Sequence, residues 1–206
     1  MIAVIDYGAS NLCSVDNAFK AIGCEVKITC LPTDLEKASA IVLPGVGAFG
    51  DGMKMLKKLD LITALNEQVI GYQKPYLGIC LGLQFLAEKS LEYGVHEGLG
   101  WIDGIVQKIV PESHRFRIPH IGWNEVEMQH NNPLFRNIDA IPVFYFVHSY
   151  QLVAKGDSVN VITSTCWHGT TITASVQKNN IYAVQFHPEK SQQNGLNILR
   201  NFVGLL

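Results

Sequence analysis

Cys80, His187 and Glu189 are of the types, and in the settings, that nucleophilic catalysis needs. Cys80 sits in Pro75-Tyr76-Leu77-Gly78-Ile79-Cys80-Leu81-Gly82-Leu83-Gln84, where an apolar strand runs into the cysteine and a helix begins directly after it. Gly78 and Gly82 flank it at −2 and +2, the pattern of a nucleophile elbow with cysteine in the nucleophile's place. A sharp turn of that kind leaves no room for larger side chains against strand and helix. A helix start beside Cys80 favours its thiolate, and the Leu81 N–H is placed to donate to an oxyanion. The turn alone does not decide the matter, because buried inert cysteine is the common fate of that residue type. Cys13, Cys24, Cys30 and Cys166 are read that way.

A cysteine nucleophile needs a base for its proton and a third group to orient the base. His187-Pro188-Glu189 offers both at the end of the strand-like run Ile181 to Gln185, with Pro188 limiting the backbone between them. The other histidines (His96, His114, His120, His130, His148 and His168) lack such company and are read as ordinary polar residues.

The elements that must hold these groups are legible in outline. Ile2 to Ile5, Glu25 to Thr29, Ala40 to Leu43 and Tyr76 to Ile79 read as strands. Between them lie helical patterns with Val15, Ala18, Phe19 and Ile22 on one face, then Met53 to Ile70, which reads as one helix or as two pieces. Leu81 to Ser90 reads as a helix. Alternating strands and helices imply right-handed crossovers and a mostly parallel sheet flanked by helices. Phe144 to Val147, Val159 to Thr165, Thr171 to Val176 and Ile181 to Gln185 follow closely, which predicts antiparallel strands in the C-terminal half. A last helix is expected over about Ser191 to Phe202. The fold class is α/β, with one domain over residues 1–206.

Composition narrows the class. The chain is 48% hydrophobic and 17% charged with net charge −2, an ordinary globular balance that argues against a general nucleic-acid or acidic-membrane binder. A chain of this length buries roughly 70% of its unfolded surface, so it needs neither metal nor disulfide for stability. Five cysteines without CxxC spacing point to a reducing compartment, and the absence of a leader-like segment or a long apolar run points to the cytoplasm.

Gly-Ile-Cys-Leu-Gly-Leu-Gln at 78–84 and Gln-Phe-His-Pro-Glu at 185–189 together resemble the class I, triad-type glutamine amidotransferases, whose fold is flavodoxin-like. Asp6-Tyr7-Gly8 with Asn11-Leu12 and Ser14-Val15, Pro44 to Phe49, His120 to Asn124, Tyr145 to Tyr150 and Lys190-Ser191 are similar to segments of one branch, the glutaminase subunits of imidazole glycerol phosphate synthase. Gly8-Ala9-Ser10-Asn11-Leu12 departs from the usual Gly-x-Gly-Asn-Leu, and Val110 to Ile118 does not align. Such departures occur in related subunits that feed sugar amidation in surface-polysaccharide pathways. The final ammonia acceptor therefore stays open between these two.

The resemblance implies hydrolysis of glutamine to glutamate and ammonia without cofactor or metal, with Cys80, His187 and Glu189 as the triad. It implies an oxyanion hole from Leu81, Val46 and Gly47. Gly45, Gly47, Gln84, Glu92, Ser149 and Tyr150 would bind substrate. It also implies a heterodimer with a (β/α)8-barrel cyclase that makes imidazole glycerol phosphate and aminoimidazole carboxamide ribotide in histidine biosynthesis. Asn11, Trp123, Tyr145 and Lys190 match positions near that interface.

Overall fold

Alternating residues of the first strand face opposite sides of one sheet, and each side carries its own apolar core. In the computed structural model, which describes residues 1–206, Ala3 and Ile5 join one core cluster, while Ile2 and Val4 join the other. The strands are β1 Ile2–Ile5, β2 Val26–Thr29, β3 Ala40–Gly45, β4 Tyr76–Cys80, β5 Ala87–Ser90, β6 His96–Glu97, β7 Ile102–Lys108, β8 His120–Glu125, β9 Glu127–Met128, β10 Val143–His148, β11 Tyr150–Ala154, β12 Ile162–Trp167, β13 Thr171–Lys178 and β14 Ile181–Val184. The α-helices are α1 Leu12–Ala21, α2 Pro32–Lys37, α3 Phe49–Lys58, α4 Leu61–Leu65, α5 Leu81–Gln84 and α6 Gln192–Val203.

The main sheet has eight strands in the order β2-β1-β3-β4-β14-β13-β12-β9. The first five run parallel, and β13, β12 and β9 continue antiparallel. The inner parallel strands β1, β3, β4 and β14 are buried on both faces, as crossover helices require, whereas the edge strand β2 leaves Lys27 and Ile28 exposed. The side of Ala3 is covered by α3 and α4, and the side of Ile2 by α1 and α6. Two smaller sheets, β10-β8 and β11-β7-β5-β6, stand against this frame.

The helical pattern over Met53 to Ile70 forms two pieces: it breaks at Asp60 (φ 55°), resumes as α4 and ends in a π-helical turn over Asn66–Gly71. Two other expectations are corrected in detail. The helix expected over Leu81 to Ser90 stops at Gln84, and Ala87–Ser90 is strand β5. Every residue from Leu81 to Ala87 is buried, Gln84 included, and a short, mostly apolar run does not distinguish helix from strand. The carbonyls of Phe85, Leu86 and Ala87 instead accept from Leu99, Ile102 and Gly100. Val159 to Val161, expected in a strand, lie in a 3-10 turn over Gly156–Val161.

Candidate active site

Cys80 closes β4 with φ 55° and ψ −103°, a backbone conformation that residues bearing a Cβ rarely adopt. Its neighbours hold it there. The whole of β4 is buried, and Cys80 pairs with Gly45 of β3. A Cβ on Gly78 would lie 2.6 Å from the Gly82 carbonyl oxygen, and one on Gly82 would overlap the Leu43 carbonyl. Tyr76 Oη donates to the Gly82 carbonyl at 3.0 Å. The flanking glycines are thus steric requirements of the turn, as the sequence pattern predicts. The cysteine lies at the carboxyl end of the parallel strands, where open α/β sheets place their ligand crevices.

His187 follows β14, and Pro188–Lys190 form a 3-10 turn behind it. His187 Nδ1 and Glu189 Oε1 are 2.7 Å apart, with side chains only 2% and 3% exposed. The loop is pinned from two sides. His187 N donates to the Tyr145 carbonyl at 2.9 Å, and Ser191 Oγ donates to the His187 carbonyl at 2.6 Å. Burial alone would lower the His187 pKa, but the negative charges of Cys80 and Glu189 outweigh it and raise the imidazole to about 10. With Nδ1 engaged by Glu189, Nε2 is the nitrogen without a hydrogen-bond partner.

Cys80 opens on a cleft of about 560 Å³. Val46, Gly47, Leu81, Gln84, Glu92, Ser149 and Tyr150 line it, so most of the expected substrate and oxyanion residues converge there. Gly45 does not line it. A Cβ at Gly45 would collide with the Tyr7 hydroxyl and touch Leu81, so close packing beneath the site requires glycine there. The Val46 N–H donates to the Ala9 carbonyl at 2.9 Å and in this arrangement is not available to an oxyanion. Gly47 beside it has φ +96°, a conformation suited to glycine. Gln84 and Glu92 are buried rather than exposed. Gln84 Nε2 donates to the Tyr150 carbonyl (3.0 Å) and to Gln185 Oε1 (3.1 Å). Glu92 Oε2 accepts from the Phe49 N–H at 2.7 Å and so caps the start of α3.

Three of the four residues expected at a partner surface are contiguous. The rings of Trp123 and Tyr145 meet edge to face at 5.9 Å, and Lys190 Nζ lies 5.9 Å from the Tyr145 centroid. Trp123 is 49% exposed. Lys190 also lines the cleft. Asn11 is placed differently. It caps α1, accepting from the Ser14 N–H at 3.4 Å, and α1 packs on the Pro188–Lys190 turn.

Further residues join the site without a role assigned from the sequence. Gln185 is fully buried, and its Nε2 donates to Cys80 Sγ at 3.6 Å. Its place two residues before His187, just past the end of β14, was the available signal. Tyr7 presses a buried, unpartnered hydroxyl toward the cysteine; burial and the Cys80 charge raise its pKa. Tyr93, Lys108, Pro119, Val147 and His148 complete the cleft wall. All five cysteines are free, and no helix is long and apolar enough to cross a membrane.

Residues 3–205 match the family model for class I glutamine amidotransferases. The chain is 49% identical over 205 residues to imidazole glycerol phosphate synthase subunit HisH 1 of Campylobacter jejuni (strain RM1221), covering 100% of both chains. It is 43% identical over 206 residues to subunit HisH 2 of Pseudomonas aeruginosa, again covering 100% of both. The fold is similar to that of PurLQS from Thermotoga maritima, with a TM-score of 0.76 at 18% identity over 99% of this chain and 97% of that one.

Proposed function

The chain belongs to the class I glutamine amidotransferases, and on that footing we propose that it is the glutaminase subunit of an imidazole glycerol phosphate synthase, with Cys80, His187 and Glu189 as its catalytic triad. The observation that carries this is a cysteine held in a strained turn at the mouth of a cleft, beside a buried histidine already paired with a carboxylate.

The Cys80 thiolate adds to the side-chain amide carbon of glutamine, and the C=O electron pair moves onto oxygen. Collapse of the tetrahedral adduct breaks the C–N bond, and the His187 imidazolium supplies the proton that lets nitrogen leave as ammonia. Water then adds to the glutamyl thioester while His187 takes its proton, releasing glutamate and restoring Cys80. Glu189 holds the imidazole and stabilises its cationic form.

The Leu81 N–H, in the first turn of α5, has no intrahelical partner and is one oxyanion donor. A second requires the Val46–Gly47 peptide to leave Ala9 and turn inward, a rotation glycine tolerates. Losing one such donor typically costs about 3 kcal/mol of barrier lowering, so the arrangement described above is a slow, resting one. Glu92, Gln84 and the Ser149–Tyr150 backbone bind the amino-acid end of the substrate.

Ammonia released to bulk water is protonated or lost, which favours a docked consumer. The partner is a (β/α)8-barrel cyclase seated on the Trp123–Tyr145–Lys190 face, forming a cytoplasmic heterodimer that makes imidazole glycerol phosphate and aminoimidazole carboxamide ribotide for histidine synthesis. The relatives named above are subunits of that synthase. Glutamate release measured with and without a cyclase subunit and its phosphoribosyl ligand tests the assignment. Stimulation only when both are present is expected. Stimulation by a sugar-modifying ligase instead would move the acceptor out of histidine synthesis.

A further inference from the structure

Two buried histidines beside the cleft take no part in the reaction just described. Antiparallel pairing of β8 with β10 sets His120 directly opposite His148. His120 is 2% exposed and His148 7%. The His120 ring stacks between Phe146 (4.8 Å) and His168 (4.1 Å).

The hydrogen bonds around these rings admit one arrangement of protons. Asn124 Oδ1 accepts from the Glu125 N–H at 2.9 Å, and its Nδ2 donates to the Trp167 carbonyl at 2.9 Å. That fixes the amide, so the remaining Nδ2 hydrogen meets His120 Nε2 at 3.2 Å, and this nitrogen must accept. At the other end, His148 Nδ1 lies 2.8 Å from the Tyr150 carbonyl, which can only accept, so Nδ1 must donate. Between them His120 Nδ1 and His148 Nε2 are 3.1 Å apart. The only consistent pattern puts the hydrogen on His120 Nδ1. Both rings are then neutral Nδ1–H tautomers, whereas free histidine prefers the Nε2–H form.

We propose that His120 and His148 are positioning residues of the glutamine cleft: a directional relay from Asn124 through both rings to the Tyr150 carbonyl that fixes the Ser149–Tyr150 wall against Gln84. The Tyr150 carbonyl is the junction, since Gln84 Nε2 also donates to it. Gln84 in turn holds Gln185, which donates to Cys80 Sγ. The wall that receives substrate and the sulfur that attacks it are therefore braced through one hydrogen-bonded network. A second proton on either ring would set two N–H groups facing each other across the 3.1 Å gap, or one against the Asn124 amide. Burial and the neighbouring histidines lower both pKa values accordingly, His120 to about 3 and His148 to about 4. A neutral His148 also spares the His187 imidazolium a like charge.

The role rests on the glutaminase reading of the cleft, and the test separates the two. Long-range 15N–1H correlation spectra of the full wild-type chain at pH 7 are expected to show both rings as neutral Nδ1–H tautomers. An Nε2–H or doubly protonated form at either ring overturns the relay, with no variant needed. Function is read from Cys80 alkylation by a diazoketone analogue of glutamine relative to alkylation by iodoacetamide, with the cyclase partner present. Loss of one positioning hydrogen bond predicts that the ratio falls roughly 10-fold in His148→Leu. His148→Asn, whose amide can replace the Nδ1–H donor, is expected to recover most of it. An unchanged ratio in His148→Leu, or an Asn variant as poor as the Leu one, refutes the positioning role. A wild-type chain whose labelling is not slowed by glutamine instead removes the glutaminase reading itself.

Discussion

His187 and the His120–His148 pair carry opposite pKa shifts, and the signs make distinct predictions. His187 is raised to about 10, above an unfolded value of roughly 6.5. Its contribution to stability is full below that unfolded value and is lost as pH rises through about 10. His120 and His148 are lowered to about 3 and about 4, so their contribution is present above the unfolded value and is lost as pH falls toward those values. The midpoint of urea unfolding should therefore drop on acidification from near pH 6.5 toward about 4. The drop should be shallower in His120→Gln; an acid limb unchanged by that substitution would show that the pair is not held neutral. Glu189→Gln removes the carboxylate that orients His187, and comparable losses at an orienting residue reach about 10⁴-fold in kcat. Partner-stimulated glutamate release should fall by roughly 10²–10⁴-fold, with the chain still folded. The proposed triad stands out in the sequence because Cys80 closes one strand and His187 and Glu189 follow another in a proline-containing turn. The His120–His148 pair was not, because its meaning depends on a cross-strand register over 28 positions and on proton placements no sequence pattern records.

At the scale of elements, the strand-to-helix turn at Cys80 is the feature most exposed to substitution. A Cβ at Gly82 would overlap the Leu43 carbonyl of the neighbouring strand, where backbone cannot easily give way. Overpacking of this kind costs about 1–3 kcal/mol. Gly82→Ala should lower Tm by roughly 2–12 °C, read by calorimetry, and should slow Cys80 alkylation by the glutamine analogue. An unaltered Tm would mean that the turn relaxes freely. The inner parallel strands were readable from their apolar runs because both faces are buried. The end of α5 was not readable, since Leu81 to Ala87 are buried all round and the N–H groups that meet the Phe85, Leu86 and Ala87 carbonyls lie at Leu99 to Ile102. The register of β8 with β10 is tertiary in the same sense.

For the whole molecule, the aromatic pair Trp123–Tyr145 with Lys190 joins an exposed face to the loop that carries His187. Large aromatic residues dominate many interfaces, and truncating such an anchor commonly costs about 2 kcal/mol or more. Trp123→Ala should therefore weaken capture of the cyclase by roughly 30-fold, measured by titration calorimetry, and a Kd unchanged by the substitution would place the interface elsewhere. In the mechanism proposed above, docking at this face would release the Val46 N–H from the Ala9 carbonyl that holds it and turn the Val46–Gly47 peptide to complete the oxyanion hole. Catalysis through Cys80 is tested most directly by glutamate release from glutamine in the presence of the cyclase and its phosphoribosyl ligand, comparing wild type with Cys80→Ala. Loss of a covalent nucleophile predicts a fall of about 10³-fold or more. Release within tenfold of wild type by Cys80→Ala would contradict the thioester mechanism.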